Sequence, residues 1–114
     1  MKYFWTESER KQKHTTCCLE FRKGAYMEED PHWQEDSLCL YADLFDELEL
    51  YPLFQKAVPQ FDYYGPTEVS GKQWQALYQL AKECGGRKEQ AIAELAPWVS
   101  DCLRTEEVFT IFGI

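Results

Sequence analysis

Two short segments alternate between hydrophobic and polar residues. Residues 15–22, TTCCLEFR, place Leu19 and Phe21 on one side with Cys17, and put Thr16, Cys18, Glu20 and Arg22 on the other. This period of two predicts a half-buried strand. Residues 37–42, SLCLYA, predict a second strand with Leu38 and Leu40 facing the core. The segment before residue 15 fits either a helix or another strand, and the charged residues around Pro31 predict a loop.

From Asp43 onward the hydrophobic residues recur every three or four positions, which is the spacing of a helix. Because proline is tolerated only in the first turn of a helix, Pro52 predicts a short acidic turn at 43–48 and a main helix at about 50–58. Residues 61–64, FDYY, alternate again and predict a short strand that ends or bends at Gly65-Pro66.

The second half of the chain carries clear helix boundaries. Ser70 and Gln73 fit a capping box, in which the serine hydroxyl accepts the N–H of residue 73 and the glutamine side chain reaches back. The helix that follows is expected to end at Gly85-Gly86. Its predicted apolar stripe consists of Trp74, Leu77, Tyr78, Ala81 and Cys84.

A last helix is predicted from about Arg87, and Pro97 predicts either a kink in it or a division into two short helices. The end of the chain, VFTIFGI, is rich in β-branched and aromatic residues and predicts a strand within the sheet. Together these elements predict one α+β domain over residues 1–114. We expect a small mixed or antiparallel sheet of about three to five strands packed on about three or four helices, with the C-terminal strand in the sheet.

The cysteines and the apolar runs bear on the compartment. The chain has five cysteines and no C-x-x-C pair, so any disulfide scheme leaves one cysteine over. It shows neither a secretory leader nor an apolar run of eighteen residues. We therefore expect a cytoplasmic protein whose thiols are reduced and mostly buried. The cysteines are Cys17, Cys18, Cys39, Cys84 and Cys102.

Charge is distributed unevenly along the chain. The net charge is −8, and residues 28–49 hold nine acids without a single lysine or arginine. A nucleic acid or an anionic membrane needs basic residues to bind it, so neither is expected as a partner. The composition instead favours a basic protein as the partner.

The sequence lacks the motifs in which catalytic and metal-binding residues are usually grouped. His14 and His32 are the only histidines, and neither lies at a zinc-ligand spacing from a cysteine. The sequence has no nucleophile elbow and no phosphate-binding glycine loop, and its acids lack the calcium-loop spacing. We therefore expect no enzyme activity, no bound metal and no cofactor.

The order FDYYGPTEVSGKQW, a helix, a second helix containing Pro97-Trp98, and FTIFGI resembles small immunity proteins of bacterial contact-dependent growth inhibition and related polymorphic toxin systems. The resemblance covers about residues 45–114. It implies a non-enzymatic inhibitor that binds and blocks a cognate toxin domain. These motifs are structural, so the resemblance assigns no binding residue.

Charge and resemblance together predict how the partner is bound. The acidic segment, residues 28–49, is expected to cover the basic cleft of a toxin. We expect this toxin to be a nuclease, with an RNase as one possibility. The inhibitor is expected to be a monomer or to form a 1:1 heterodimer with the toxin. The alternative is an intracellular adaptor or regulatory domain that binds another basic protein. The predicted contacts are Glu35, Asp36, Asp43, Asp46, Glu47 and Glu49, with Trp33 and Tyr41 or Tyr64 as aromatic anchors.

Overall fold

The computed structural model describes residues 2–13, 17–29 and 34–114. Within these ranges the chain forms five strands and five helices. In chain order they are β1 (Trp5–Thr6), α1 (Glu7–Gln12), β2 (Cys18–Lys23), β3 (Leu38–Tyr41), α2 (Ala42–Glu47), α3 (Leu50–Ala57), β4 (Pro66–Ser70), α4 (Gly71–Cys84), α5 (Gly86–Cys102) and β5 (Val108–Phe112).

The strands form one antiparallel sheet in the order β1-β3-β2-β5-β4. The α+β prediction is confirmed, and the C-terminal strand lies inside the sheet between β2 and β4. The segment before residue 15, for which the sequence allowed either a helix or a strand, forms one of each, β1 and α1.

One face of the sheet packs on the helices. The register pairs Leu19 with Leu40 and Phe21 with Ile111, so these four side chains share a face. All four are fully buried. On the same face Phe109 contacts aromatic rings of α4 and α5, with Trp74 at 6.3 Å and Trp98 at 5.7 Å between ring centroids. The period-two prediction for this side of the strands is therefore confirmed.

The opposite face of the sheet is covered over its central strand β2, which the sequence pattern did not predict, whereas Pro66 and Glu68 of the edge strand β4 are exposed on it. Cys18, Glu20 and Arg22 were expected on the polar side of a half-buried strand, yet they are only 2–4% exposed. Two residues that precede β3 bond to Glu20: the Ser37 hydroxyl donates to Glu20 Oε2 at 2.7 Å, and the Gln34 N–H donates to the same oxygen at 3.3 Å.

Ionic and aromatic contacts continue this second layer. Arg22 Nη2 lies 3.5 Å from Glu20 Oε1, and the guanidinium stacks 4.4 Å from the centroid of Phe112. On the neighbouring strand, the Thr110 hydroxyl donates to the Gly24 carbonyl at 2.8 Å. The prediction of a half-buried strand was therefore wrong. The alternation within one strand cannot show that Gln34 and Ser37, from another part of the chain, will bond to its polar side.

A disulfide lies within the second layer. Cys18 and Cys39 are joined across β2 and β3, with their Cα atoms 5.9 Å apart. The expectation of reduced thiols is wrong for this pair, because the strand register brings together two cysteines that are 21 positions apart. Cys17 and Cys84 are exposed thiols, so Cys84 does not belong to the buried stripe of α4, and Cys102 is a buried thiol.

The predicted strand at residues 61–64 is not formed. These residues make a turn, in which Asp62 Oδ1 accepts the Tyr64 N–H at 2.9 Å and the Asp62 carbonyl accepts the Gly65 N–H at 3.3 Å. The strand follows the turn instead, as β4. An aspartate that bonds the backbone two residues later favours a turn over a strand.

The helix boundaries follow the sequence closely. The capping box of Ser70 and Gln73 is present in both directions, and Gly85 ends α4 with a φ of 68°. Helix α5 runs unbroken through Pro97, so its division into two short helices was a wrong prediction. Pro97 is exposed, while Leu95 and Val99 on either side of it are fully buried and hold the helix in place.

Candidate functional site

Helix α2 displays a row of carboxylates, where the sequence predicted a short acidic turn. We call Asp43, Asp46, Glu47 and Glu49 the acidic ridge; all four are exposed. Residues three and four apart share one side of a helix, so Asp43, Asp46 and Glu47 point in a common direction. Phe45 fixes that direction, because its ring is fully buried and contacts Phe54 and Phe61.

Little of the ridge's charge is neutralised. Arg87 Nη2 lies 3.7 Å from Glu47 Oε2, and both side chains are about half exposed or more. Within the described residues, Asp43, Asp46 and Glu49 form no ion pair. The ridge therefore keeps most of its negative charge available to a partner.

Three tyrosines lie beside the ridge. We call Tyr51, Tyr63 and Tyr64 the tyrosine patch; their ring centroids are separated by 6.3 Å from Tyr51 to Tyr63 and by 5.1 Å from Tyr63 to Tyr64. Tyr51 is 44% exposed and Tyr64 is 77% exposed. Exposed tyrosines next to charged groups are typical anchors of protein interfaces.

Asp46 connects the ridge to the patch. The Tyr63 hydroxyl lies 3.5 Å from Asp46 Oδ1. Burial raises the pKa of the Tyr63 hydroxyl, and the negative charge of Asp46 raises it further. The tyrosine therefore stays neutral at physiological pH, and its single O–H hydrogen points to Asp46.

A groove flanks the other side of the ridge. Its volume is about 430 Å³, and it is lined by Asp43 and Glu47 of the ridge. Trp5 and the predicted anchor Tyr41 also line it, and the centroids of these two stacked rings are 6.0 Å apart. Burial raises the pKa of the Tyr41 hydroxyl, as does the charge of Glu9. Two lysines lie over the Trp5 ring and bring positive charge to this side, so a basic partner is favoured on the tyrosine side. They are Lys2, 5.0 Å from the ring centroid, and Lys13, at 4.3 Å.

The structure separates the other predicted contacts from the ridge. Glu35 and Asp36 are exposed but precede β3, whereas α2 follows it, so the length of the strand lies between the two groups. The Asp36 carbonyl accepts the indole N–H of Trp98 at 2.8 Å, which ties this end of the segment to α5. Trp33 lies outside the described residues.

Tyr51 was missed by the sequence analysis although the sequence contains a signal for it. The buried residues of α3 are Leu50, Leu53, Phe54 and Ala57. Position 51 lies off this stripe, so an aromatic residue there is exposed on a helix that needs no further apolar contact. A single exposed aromatic residue is common at a protein surface, and it is the ring contact with Tyr63, at 6.3 Å between centroids, that joins Tyr51 to the patch.

The described residues offer little for other chemistry. They contain no group of three or more histidine, cysteine, aspartate or glutamate side chains that could hold a metal ion. No helix in the described ranges is both long enough and apolar enough to cross a membrane. Comparisons with protein-family models, curated proteins and solved structures gave no match.

Proposed function

We propose that this protein is an immunity protein that binds a basic toxin domain through the acidic ridge and the tyrosine patch. The observation that carries the proposal is the exposure of the acidic ridge together with the contact of one of its members, Asp46, with the tyrosine patch, 3.5 Å from the Tyr63 hydroxyl. Inhibition requires no chemistry from this chain, since covering the toxin's cleft excludes the substrate. The free protein is proposed to be a monomer and the complex a 1:1 heterodimer.

The electrostatics favour a nuclease as the toxin. A nuclease cleft must be positive to hold phosphates, and a row of carboxylates can occupy the same positions. Opposite potentials also accelerate encounter, to about 10⁸ M⁻¹s⁻¹ or more at low salt. Glu35 and Asp36 lie away from the ridge, so we assign them at most a long-range contribution to this attraction.

The size of the surface is compatible with a specific complex. A standard interface buries about 800 Å² on each partner, which is roughly an eighth of this protein's accessible surface of 6442 Å². The ridge and the patch, together with the protein surface that surrounds them, would supply that area. Within it the tyrosines supply apolar contact at a low entropic cost, and the carboxylates set the orientation.

The proposed location is the cytoplasm, where a toxin that cleaves nucleic acid would act. The Cys18–Cys39 disulfide is unusual for that compartment, which keeps thiols reduced. Because both cysteines are at most 4% exposed, reductants reach them only when the sheet opens. Trapping thiols by alkylation in intact cells would measure the state of this pair and so test the location.

Charge reversal on the ridge tests the proposal. Co-purification from the native strain identifies the partner, and titration calorimetry then measures its affinity for each variant. We expect Asp46→Lys to weaken binding by about 2–5 kcal/mol, because a lysine would face the basic cleft. The matched control is Glu107→Lys, an exposed acid before β5, which should leave the affinity within a few-fold.

Two outcomes would contradict the proposal in different ways. Unchanged affinity for reversals at all four ridge positions would remove the ridge from the interface. A basic partner that is not a toxin, encoded away from any toxin gene, would favour the adaptor alternative while keeping the same binding surface.

A further inference from the structure

A narrow cleft continues the tyrosine patch on the side away from the ridge. Tyr26 and Tyr64 lie at its rim, Phe112 contributes a third ring, and Glu28 contributes a carboxylate. We call it the Tyr26–Tyr64 cleft. Its volume is about 220 Å³, which is below the roughly 300–1,000 Å³ of small-molecule sites. A space of this size suits one long side chain.

The floor of the cleft is fixed by backbone contacts. The Gly113 N–H donates to the Gly65 carbonyl at 3.0 Å, and the Ile114 N–H donates to the Tyr63 carbonyl at 2.8 Å. A Cβ atom at Gly113 would collide with the Tyr63 carbonyl, so only glycine allows this approach. The floor therefore exists before any partner arrives, which lowers the entropic cost of binding.

Large exposed hydrophobic side chains gather at the cleft and beside it. Among the described residues, five large hydrophobic side chains are exposed, and all belong to the cleft, its border or the tyrosine patch. Contiguous apolar surface of this kind marks interaction sites. The five are Tyr26 (40% exposed), Met27 (54%), Tyr51 (44%), Tyr64 (77%) and Ile114 (49%).

The charges around the cleft are acidic. Glu28 lines it, Glu68 accepts the Tyr26 N–H at 2.8 Å, and Asp62 accepts the Tyr64 N–H at 2.9 Å. No lysine or arginine from the described ranges lines the cleft. The nearby Arg22 is buried against Phe112, and Glu20 offsets its charge at 3.5 Å. A cation entering the cleft would meet the exposed tyrosines Tyr26 and Tyr64 and the carboxylate of Glu28, whereas an anion would be repelled.

We infer that the Tyr26–Tyr64 cleft receives an arginine side chain of the basic partner. A guanidinium is planar, stacks on tyrosine rings and pairs with a carboxylate in the same plane, here Glu28. A lysine would gain the charge pair without the stacking, and an aliphatic side chain would bury Glu28 without compensation. The inference deepens the proposed function, since it assumes a basic partner and names the side chain that the surface recognises.

The inference can be tested without the partner. The probe is N-acetyl-arginine amide, titrated to about 100 mM against ¹⁵N-labelled protein, a range in which weak binding by one side chain is measurable. N-acetyl-citrulline amide has nearly the same shape without the charge and serves as the control ligand. We expect saturable shifts of the Tyr64, Gly65 and Gly113 amides with the arginine probe and weaker, non-saturating shifts with citrulline.

Matched variants locate the site. Tyr64→Ala and Glu28→Gln should each weaken the arginine probe by about two- to fivefold, the loss expected for one exposed cation–π contact or charge pair. Glu107→Gln removes an exposed carboxylate outside the cleft and should leave the affinity for the arginine probe unchanged. Unperturbed amide spectra away from the substitution would show that each variant is folded.

Three results would overturn the inference: equal shifts with citrulline, equal affinity for N-acetyl-lysine amide, or shifts confined to α2. None of them bears on whether ridge reversals weaken the toxin complex. Conversely, the arginine probe could bind in the cleft while charge reversals on the ridge leave toxin binding unchanged. That result would support the arginine site and contradict the proposed function.

Discussion

The helix-facing side of the sheet and the opposite side of its central strand β2 are both buried, but by different means. The face toward the helices is apolar, with Phe21 and Ile111 in the same core as the rings of α4 and α5. The opposite face buries the Cys18–Cys39 disulfide and the Glu20–Arg22 pair, and Ser37 donates a hydrogen bond to Glu20. The first face is stabilised by removal of apolar surface from water, whereas the second depends on bonds between particular atoms.

This difference predicts different responses to mutation. An apolar core loses stability in proportion to the volume removed, whereas a polar layer loses it when one partner of a bond is removed and another is left behind. The segment over the polar layer also leads into β3 and the acidic ridge. The polar layer therefore anchors the start of β3, and α2 begins at the other end of that strand.

The largest effect is expected on the apolar face. Phe21→Ala should lower the free energy of unfolding by about 3–5 kcal/mol, because it leaves a cavity among side chains that are fully buried. Urea denaturation followed by tryptophan fluorescence would measure the loss. Gln75→Ala on the exposed side of α4 is the control and should stay within about 0.5 kcal/mol. A small loss for Phe21→Ala would mean that this face is loosely packed.

An intermediate effect is expected from the cross-link in the polar layer. Opening the Cys18–Cys39 disulfide, by the double substitution Cys18→Ala and Cys39→Ala, should cost about 3 kcal/mol, because it releases a loop whose ends are 21 positions apart. The exposed Cys84→Ala is the matched control and should be nearly neutral. If the double variant were as stable as the parent, bonds other than the cross-link would hold the layer together.

The smallest effect is expected where the covering segment bonds to the sheet. Ser37→Ala removes the hydroxyl that donates to the buried Glu20 carboxylate and should cost about 1.5–3 kcal/mol, the usual value for a bond to a charged group. Ser100→Ala, on the exposed side of α5, should change stability by less than about 0.5 kcal/mol. Equal stabilities for the two variants would show that the segment covers the sheet without being bonded to it.

The sequence could predict what local interactions decide. The capping box at Ser70 and Gln73 and the glycine stop at Gly85 depend on residues a few positions apart, and both are present. The turn at Asp62 is equally local, but the alternation of FDYY concealed it, since the side-chain bond from Asp62 outweighs a preference for strand. The disulfide and the cover over Glu20 depend on strand register and on a returning loop, which no single segment encodes.

The candidate site was predictable to a similar degree. A run of acids without lysine or arginine pointed to the ridge, and α2 does display Asp43, Asp46 and Glu47 together. The same run also included Glu35 and Asp36, which β3 carries away from the ridge. The Tyr26–Tyr64 cleft joins three distant parts of the chain, so it becomes visible only once β5 is placed beside β2 and β4.

The position of β5 also determines when folding can finish during synthesis. Strand β2 pairs on one side with β5, about ninety residues later, so the centre of the sheet cannot close until Phe112 has left the ribosome. Contacts so far apart in the chain form slowly. Until then the strand that carries Glu20 and Arg22 lacks its neighbour on one side. An unpaired strand edge of this kind is prone to aggregation.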